Sequence, residues 1–237
     1  MFKNISTIAV FLMFVVPVTS QHHVNDLISK GLTLHDNGKY KQAIDVFDKV
    51  LNEDENNPDV YYYRGNAKFE LLNFTGAIED YSNAIKKDPT FIEAYYNRGN
   101  AYYELQMYND AIMNFSKSLE IDPTFYDSYF DRGNAWFKLN KFDNALADFS
   151  KGLSYKPDYA DGYYDRGNAN FNLNNFKEAI VDYNQAIKLV DNIPDYYFNR
   201  AIAQFYLELN EAACLDLEKS RELGDEEAGN YYKEICR

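Results

Sequence analysis

The sequence is poor in the residues on which most protein chemistry depends. It has two cysteines, three histidines and one tryptophan in 237 residues. No Cys-x-x-Cys occurs and no spacing of cysteine and histidine suits zinc, so neither a redox motif nor a metal site is expected. There is no phosphate-cradling glycine loop and no serine or cysteine with an evident base. The chain is therefore expected to be no enzyme and to need no cofactor. Positive charge is scarce as well: 24 Lys and Arg stand against 37 Asp and Glu, a formal net charge of −13. Phosphate binding needs clustered cations, which excludes nucleic acid as an expected partner. An acidic surface is more easily approached by a basic or neutral protein or peptide.

Long apolar runs are missing after residue 20. Before it, Lys3 is the only charge, Ile8 to Val18 is almost wholly apolar, and Pro17 breaks the run ahead of Val18-Thr19-Ser20. The run falls short of the ~20 residues that span a bilayer. It reads as a signal peptide, residues 1–20, cleaved before Gln21. The mature chain would be exported, periplasmic or secreted, with no stable membrane anchor. No cysteine follows the run to carry a lipid.

What the sequence has in abundance is itself. Arg64-Gly65-Asn66-Ala67 returns as Arg98-Gly99-Asn100-Ala101, Arg132-Gly133-Asn134-Ala135 and Arg166-Gly167-Asn168-Ala169, each 34 residues after the last. Degenerate copies at Lys30-Gly31-Leu32 and Arg200-Ala201-Ile202 keep the step. Six units follow: 24–57, 58–91, 92–125, 126–159, 160–193 and 194–227. Within a unit numbered from 1, large residues at 4 and at 11 or 12, with glycine at 8, fall on one helical face. Positions 17, 20, 21, 24 and 28 do the same for a second helix, as in Phe74, Ala77, Ile78, Tyr81 and Ile85. Asn or Gly between them (Gly38, Asn73, Asn140, Asn174) tolerates the left-handed conformation that closes a helix, and Pro at 32 (Pro89, Pro123, Pro157) ends the second one. One hairpin cannot bury its own apolar face, so stacked neighbours must supply the core.

Arginine recurs at 7 (Arg64, Arg98, Arg132, Arg166, Arg200), and sixteen residues later stand Asp80, Asn114, Asp148, Asp182 and Asp216. The first unit has neither partner, with Lys30 and Val46 in those places. Presence and absence run together, so Arg64–Asp80, Arg132–Asp148, Arg166–Asp182 and Arg200–Asp216 are expected to be structural ion pairs between the two helices of a unit.

After the sixth unit Gly224 reads as a helix-ending residue and Asp225 as the cap of a last helix within 225–237, able to cover the open end with Leu223, Ala228, Tyr231, Tyr232 and Ile235. Cys214 and Cys236 straddle this turn at similar distances. In an exported chain that favours a disulfide; two separate buried thiols are the alternative.

The pattern of aromatic, glycine, alanine, large apolar residue and proline at a 34-residue period resembles the tetratricopeptide repeat over nearly all of 24–227. The resemblance implies an all-α, right-handed superhelix of six helix-turn-helix repeats plus a capping helix. It also implies a concave face lined by the first helix of each unit, with ligands held through positions 2, 5, 9, 12 and 13. Carried onto this sequence, those positions give carboxylates at Asp59, Glu93, Asp127 and Asp161, rings at Tyr62, Tyr96, Phe130 and Tyr164, and amides at Asn66, Asn100, Asn134 and Asn168. The rings at 12 (Phe69, Tyr103, Phe137, Phe171, Phe205) are expected to lie mostly in the core between repeats. The expected function is a scaffold holding a protein or peptide segment in an acidic, aromatic groove. A glycan-binding envelope protein, using the rings as stacking platforms, is the alternative.

Overall fold

The computed structural model describes residues 18–236, and side chains from 22. The signal-peptide reading therefore falls almost wholly outside the described residues. Thirteen α-helices and no strand make up the described chain. They are α1 (Val18–Asp36), α2 (Tyr40–Glu53), α3 (Pro58–Glu70), α4 (Phe74–Lys87), α5 (Ile92–Glu104), α6 (Tyr108–Ile121) and α7 (Tyr126–Lys138). They continue as α8 (Phe142–Tyr155), α9 (Ala160–Asn172), α10 (Phe176–Leu189), α11 (Pro194–Tyr206), α12 (Asn210–Glu222) and α13 (Glu226–Ile235). Each helix packs on the next in sequence, and α1, α3, α5, α7, α9 and α11 also touch one another in succession. The even-numbered helices make no comparable series. A stack whose first helices meet while its second helices spread apart curls with the first helices on its inner face.

Close approach of the two helices is set at position 8. A Cβ built on Gly65, Gly99, Gly133 or Gly167 would lie 2.6–2.7 Å from the Cε1 of Tyr81, Phe115, Phe149 or Tyr183, the buried ring at position 24 of the same unit. The sixth unit has Ala201 where the others have glycine, and its position 24 is the smaller Leu217. The methyl and the shortened side chain compensate each other within one sequence.

The turn between paired helices is closed at position 15, where Gly38, Leu72, Gln106, Asn140, Asn174 and Glu208 all have φ between 57° and 70°. Three of the four expected residue types sit near this place, but Asn73 does not take the left-handed turn. Leu72 does, at φ 60°, while Asn73 caps the start of α4 by accepting from the Gly76 amide. The Leu72 amide donates to Phe69 and the Asn73 amide to Lys68, which satisfies carbonyls left free at the end of α3. Second helices stop at position 31 or just before it, and in two units Asp88 and Asp122 then accept from the amide and hydroxyl of Thr90 and Thr124.

The arginine row is more than a set of pairs. Arg64, Arg132, Arg166 and Arg200 reach Asp80, Asp148, Asp182 and Asp216 at 2.6–2.7 Å. The remaining Nη1 of each reaches backwards to position 25 of the preceding unit: Arg64 to Asp48, Arg132 to Ser116, Arg166 to Ser150 and Arg200 to Asn184. One guanidinium thus bridges the second helices of two successive units, and the tyrosine at position 4 lies 5.5–5.7 Å from it. Arg98 follows the same plan with amide and hydroxyl partners only, donating to Asn114 and Ser82.

At the far end Gly224 turns the chain at φ 103°, and Asp225 accepts from the amides of Glu227 and Ala228 to start α13. Ala228 and Tyr232 pack on Ala213, Leu217 and Cys236. Cys214 and Cys236 have their Cα atoms 5.7 Å apart, within the span a disulfide bridges.

Candidate interaction groove

Three cavities run along the inner face formed by the first helices. One of about 230 Å³ is lined by His35, Asn66, Phe69, Tyr81, Asn97 and Asn100. The next, about 290 Å³, shares Phe69 and Asn100 and adds Tyr103, Glu104, Asp131 and Asn134. The third, about 560 Å³ and mainly apolar, lies toward the C-terminal end between Phe137, Asn168, Phe171 and residues of α11 and α13.

All four asparagines at position 9 line these cavities. Two are oriented by their neighbours. The Asn66 carbonyl oxygen accepts from the Tyr81 hydroxyl at 2.8 Å and from the Asn97 amide at 2.9 Å. Asn168 repeats this with Tyr183 and Asn199, at 2.8 and 3.0 Å. With the oxygen engaged, each amide nitrogen stands beside the position 5 hydroxyl of its own unit, Tyr62 or Tyr164.

The position 12 rings serve both the core and the groove: Phe69, Tyr103, Phe137 and Phe171 pack half-buried against the core, and with Phe205 they also line the cavities. Phe69, Tyr103, Phe137 and Phe171 each meet the position 17 ring edge-on at 5.1–5.3 Å, which fixes their angle. His35 holds the same place in the first unit, edge-on to Tyr40. Position 5 lies deeper. Tyr62 packs on Phe91, Tyr96 on Phe125 and Tyr164 on Tyr196, with centroids 4.9–5.1 Å apart. Phe130 is 4% exposed and a ligand cannot reach it, which corrects its assignment to the groove. It sinks because Gly152 and Gly162 stand against its ring, where an added Cβ would come within 2.8 Å. The position 5 hydroxyls serve the wall instead: Tyr62 and Tyr164 accept from Asn97 and Asn199, and Tyr96 donates to Asp131 at 2.6 Å.

Of the position 2 carboxylates, Asp59, Glu93 and Asp161 are exposed and Asp127 is half-buried, all in the first turn of their helices. That place also suits the positive end of a helix dipole. Asp161 in addition accepts from the Tyr196 hydroxyl.

The sequence reading passed over position 6. It holds Tyr63, Asn97, Asp131, Asp165 and Asn199, of which Asn97, Asp131 and Asn199 bond to the preceding first helix through Tyr62, Tyr96 and Tyr164. Burial and the nearby Asp127 push the Asp131 carboxyl up to about 6, against the opposing effect of the Tyr96 hydrogen bond. Burial, then Asp161 and Asp131, push Asp165 up to about 7, only partly offset by the Asn134 amide and the Lys138 charge. Burial carries the hydroxyls of Tyr103 and Tyr159 up to about 12, followed by Tyr108, Asp131 and Asp165 at Tyr103 and by Asp161, Asp165 and Asp131 at Tyr159. Among the described residues neither Asp131 nor Asp165 has a Lys or Arg within ion-pair distance. Two half-buried carboxylates therefore stand without a close ion-pair partner, Asp131 lining the middle cavity and Asp165 beside the Asn134 amide of the same cavity. No group of His, Cys, Asp and Glu that could hold a metal is found among the described residues.

A solenoid of helical hairpins with cavities along its inner face has the architecture of a protein-interaction scaffold. Family models described as "TPR repeat" match residues 31–71, 65–106 and 133–174, and "Tetratricopeptide repeat" matches 92–125 and 160–192. The chain belongs to the tetratricopeptide repeat family, whose members bind protein or peptide partners. No curated protein matches it in sequence. Among solved structures it is similar to MamA, with 25% identity, a TM-score of 0.66, and 70% of this chain and 96% of that one covered. YrrB, described as a TPR protein with an unusual peptide-binding site, is 22% identical with a TM-score of 0.71 over 80% and 98% of the two chains. The C-terminal part of a TPR repeat-containing protein from Cytophaga hutchinsonii is 22% identical, with a TM-score of 0.76 over 89% of each.

Proposed function

We propose that this chain is a non-enzymatic scaffold which holds an extended segment of a partner protein along the inner face of its first helices. The observation that carries this reading is the row of position 9 amides, Asn66, Asn100, Asn134 and Asn168, spaced along three consecutive cavities and interleaved with the position 12 rings. Amide donors at regular steps suit a ligand backbone and need no particular side chain. Rings between them bury large area at low entropy cost. The carboxylates at Asp59, Glu93, Asp127 and Asp161 favour a basic or neutral partner over an acidic one. We also place the chain outside the cytoplasm, cleaved before Gln21, with Cys214 and Cys236 oxidised; the 5.7 Å Cα separation supports the pairing.

The test is retention of partners from the source cell by residues 21–237, beside a variant carrying Asn100→Ala, Tyr103→Ala, Asn134→Ala and Phe137→Ala whose fold is confirmed by circular dichroism. Proteins kept by the native chain and lost by the variant support the groove. Equal retention by both removes it.

A further inference from the structure

We infer that the groove reads two features of its partner in tandem: a lysine or arginine set on Asp131 and Asp165, and a large apolar side chain seated in the C-terminal cavity. This rests on the groove reading above and gives the partner its chemistry.

The cavity is the largest of the three, about 560 Å³, with walls from five helices, chiefly Phe171 on α9, Phe198, Ile202 and Phe205 on α11, and Tyr231 and Ile235 on α13. The capping helix therefore does more than cover the end of the stack, because it closes this cavity. Tyr231 meets Phe198 edge-on at 5.4 Å, holding that wall in place. Three of its lining side chains, Phe205, Tyr206 and Tyr231, are exposed large apolar residues. A patch of this kind, bounded by polar groups, marks a binding surface.

What lies beside the cavity names its occupant. Asn168 is on the rim, and Asp165 is one turn earlier on the same helix, about 5 Å along the axis. Asp131 follows on α7 in the adjoining cavity. Glu104 lines that same cavity, and the charges of Asp127 and Asp161 act on Asp131 and Asp165, with Lys138 only partly offsetting them at Asp165. A purely apolar ligand would leave that charge unanswered, and an acidic one would be repelled. A cation set on the carboxylates recovers part of what their burial costs. From Asp165 to Phe171 is six residues of helix, about 9 Å, which an extended peptide covers in about three residues at ~3.3 Å each. The expected motif is a basic residue and a Phe, Tyr, Trp, Leu or Met two or three positions apart.

The experiment is selection of a random dodecapeptide display library on residues 21–237, followed by fluorescence anisotropy with the labelled consensus peptide. The expected consensus pairs a basic residue with a large apolar one. Asp131→Asn with Asp165→Asn, which keeps shape and removes charge, should weaken the consensus peptide about tenfold or more. It should leave a peptide with the basic residue replaced by Ser unaffected. Ile202→Trp, which fills the cavity, should abolish preference for the apolar residue; Tyr231→Ala serves if that variant does not fold. Peptides that need Asn100 and Asn134 but show no basic–apolar pair would overturn the inference and leave the groove standing. Selection of no groove-dependent peptide would overturn both.

Discussion

Arg98 donates its Nε–H to the Asn114 carbonyl oxygen at 2.7 Å, in the place where the other four arginines of the row meet an aspartate. Burial lowers the pKa of Arg98, whereas Arg64, with Asp80 and Asp48 against it, is raised despite its burial. Asn114→Asp should therefore stabilise the array at neutral pH. Charge-assisted hydrogen bonds exceed neutral ones by about 1 kcal/mol, against which stands the loss of the Asn114 amide bond to the Asp110 carbonyl. The new carboxylate would have its folded pKa depressed by the guanidinium. The gain should be present above the ordinary carboxylate value and lost progressively as pH falls below it through the depressed folded pKa, readable as Tm at pH 7 and in steps below pH 4. In the opposite direction, Asp148→Ala should lower Tm by more than Asp148→Asn, since an amide already fills this place at Asn114. Equal and negligible effects would remove the pairing argument.

Leu72 is 74% exposed and has φ 60°. A branched residue in the left-handed region costs about 1 kcal/mol relative to glycine or asparagine. Leu72→Asn should raise the unfolding free energy by roughly that much, read from denaturant titration, and Asn140→Leu should lower it. No change in either would mean that the turn is held by its neighbours, not by its own residue.

Gly99→Ala should destabilise by about 1–3 kcal/mol, the usual range for overpacking a core, because the new methyl would lie 2.6 Å from Phe115 Cε1. Phe115→Leu should also destabilise. The two together should cost less than their sum, since Ala201 already lies with Leu217 in the sixth unit. A double-mutant cycle measures this coupling, and strict additivity would refute it.

Asp165 is raised to about 7 in the folded chain, above the ordinary value near 4 for an unfolded carboxylate. Between these values the folded state holds protons that the unfolded state has released, so this group's contribution to stability falls as pH rises through the window. Asp165→Asn should increase Tm at pH 8 and do so less at pH 5. A gain that is the same at both would show that burial of charge is not the cause.

Repetition decided what could be read in the sequence. Glycine at 8, the ring at 24 and the arginine–aspartate pairs were legible because the same residue types return in step, and each match reinforces the others. Position 6 was illegible for the same reason. It holds Tyr63, Asn97, Asp131, Asp165 and Asn199, and no single residue type marks it out. Position 25, filled by Asp48, Ser82, Ser116, Ser150 and Asn184, was missed likewise, although it lies sixteen residues before each arginine as the aspartate lies sixteen after. Periodicity gives the phase of a helix but not how deep a ring sinks between two units. That depth depends on neighbours such as Gly152 and Gly162, so Phe130 could be placed on the groove side and yet be buried. The left-handed turn was misplaced by one residue at Asn73 because a favourable residue type stood next to the true position. Counting to 15 in every unit would have found Leu72.

The joint between repeats is made from interchangeable parts. Ser82, Ser116 and Ser150 are three copies of one receptor, and each takes the arginine of whatever unit comes next. Removing residues 92–125 would present Ser82 to Arg132 where Ser116 now stands, with the same chemistry on both sides of the cut. Inserting a further copy would work in the same way. An array jointed like this can gain or lose length in whole steps without redesign. The reach of the groove, and with it the length of partner it can hold, is therefore open to change by recombination alone.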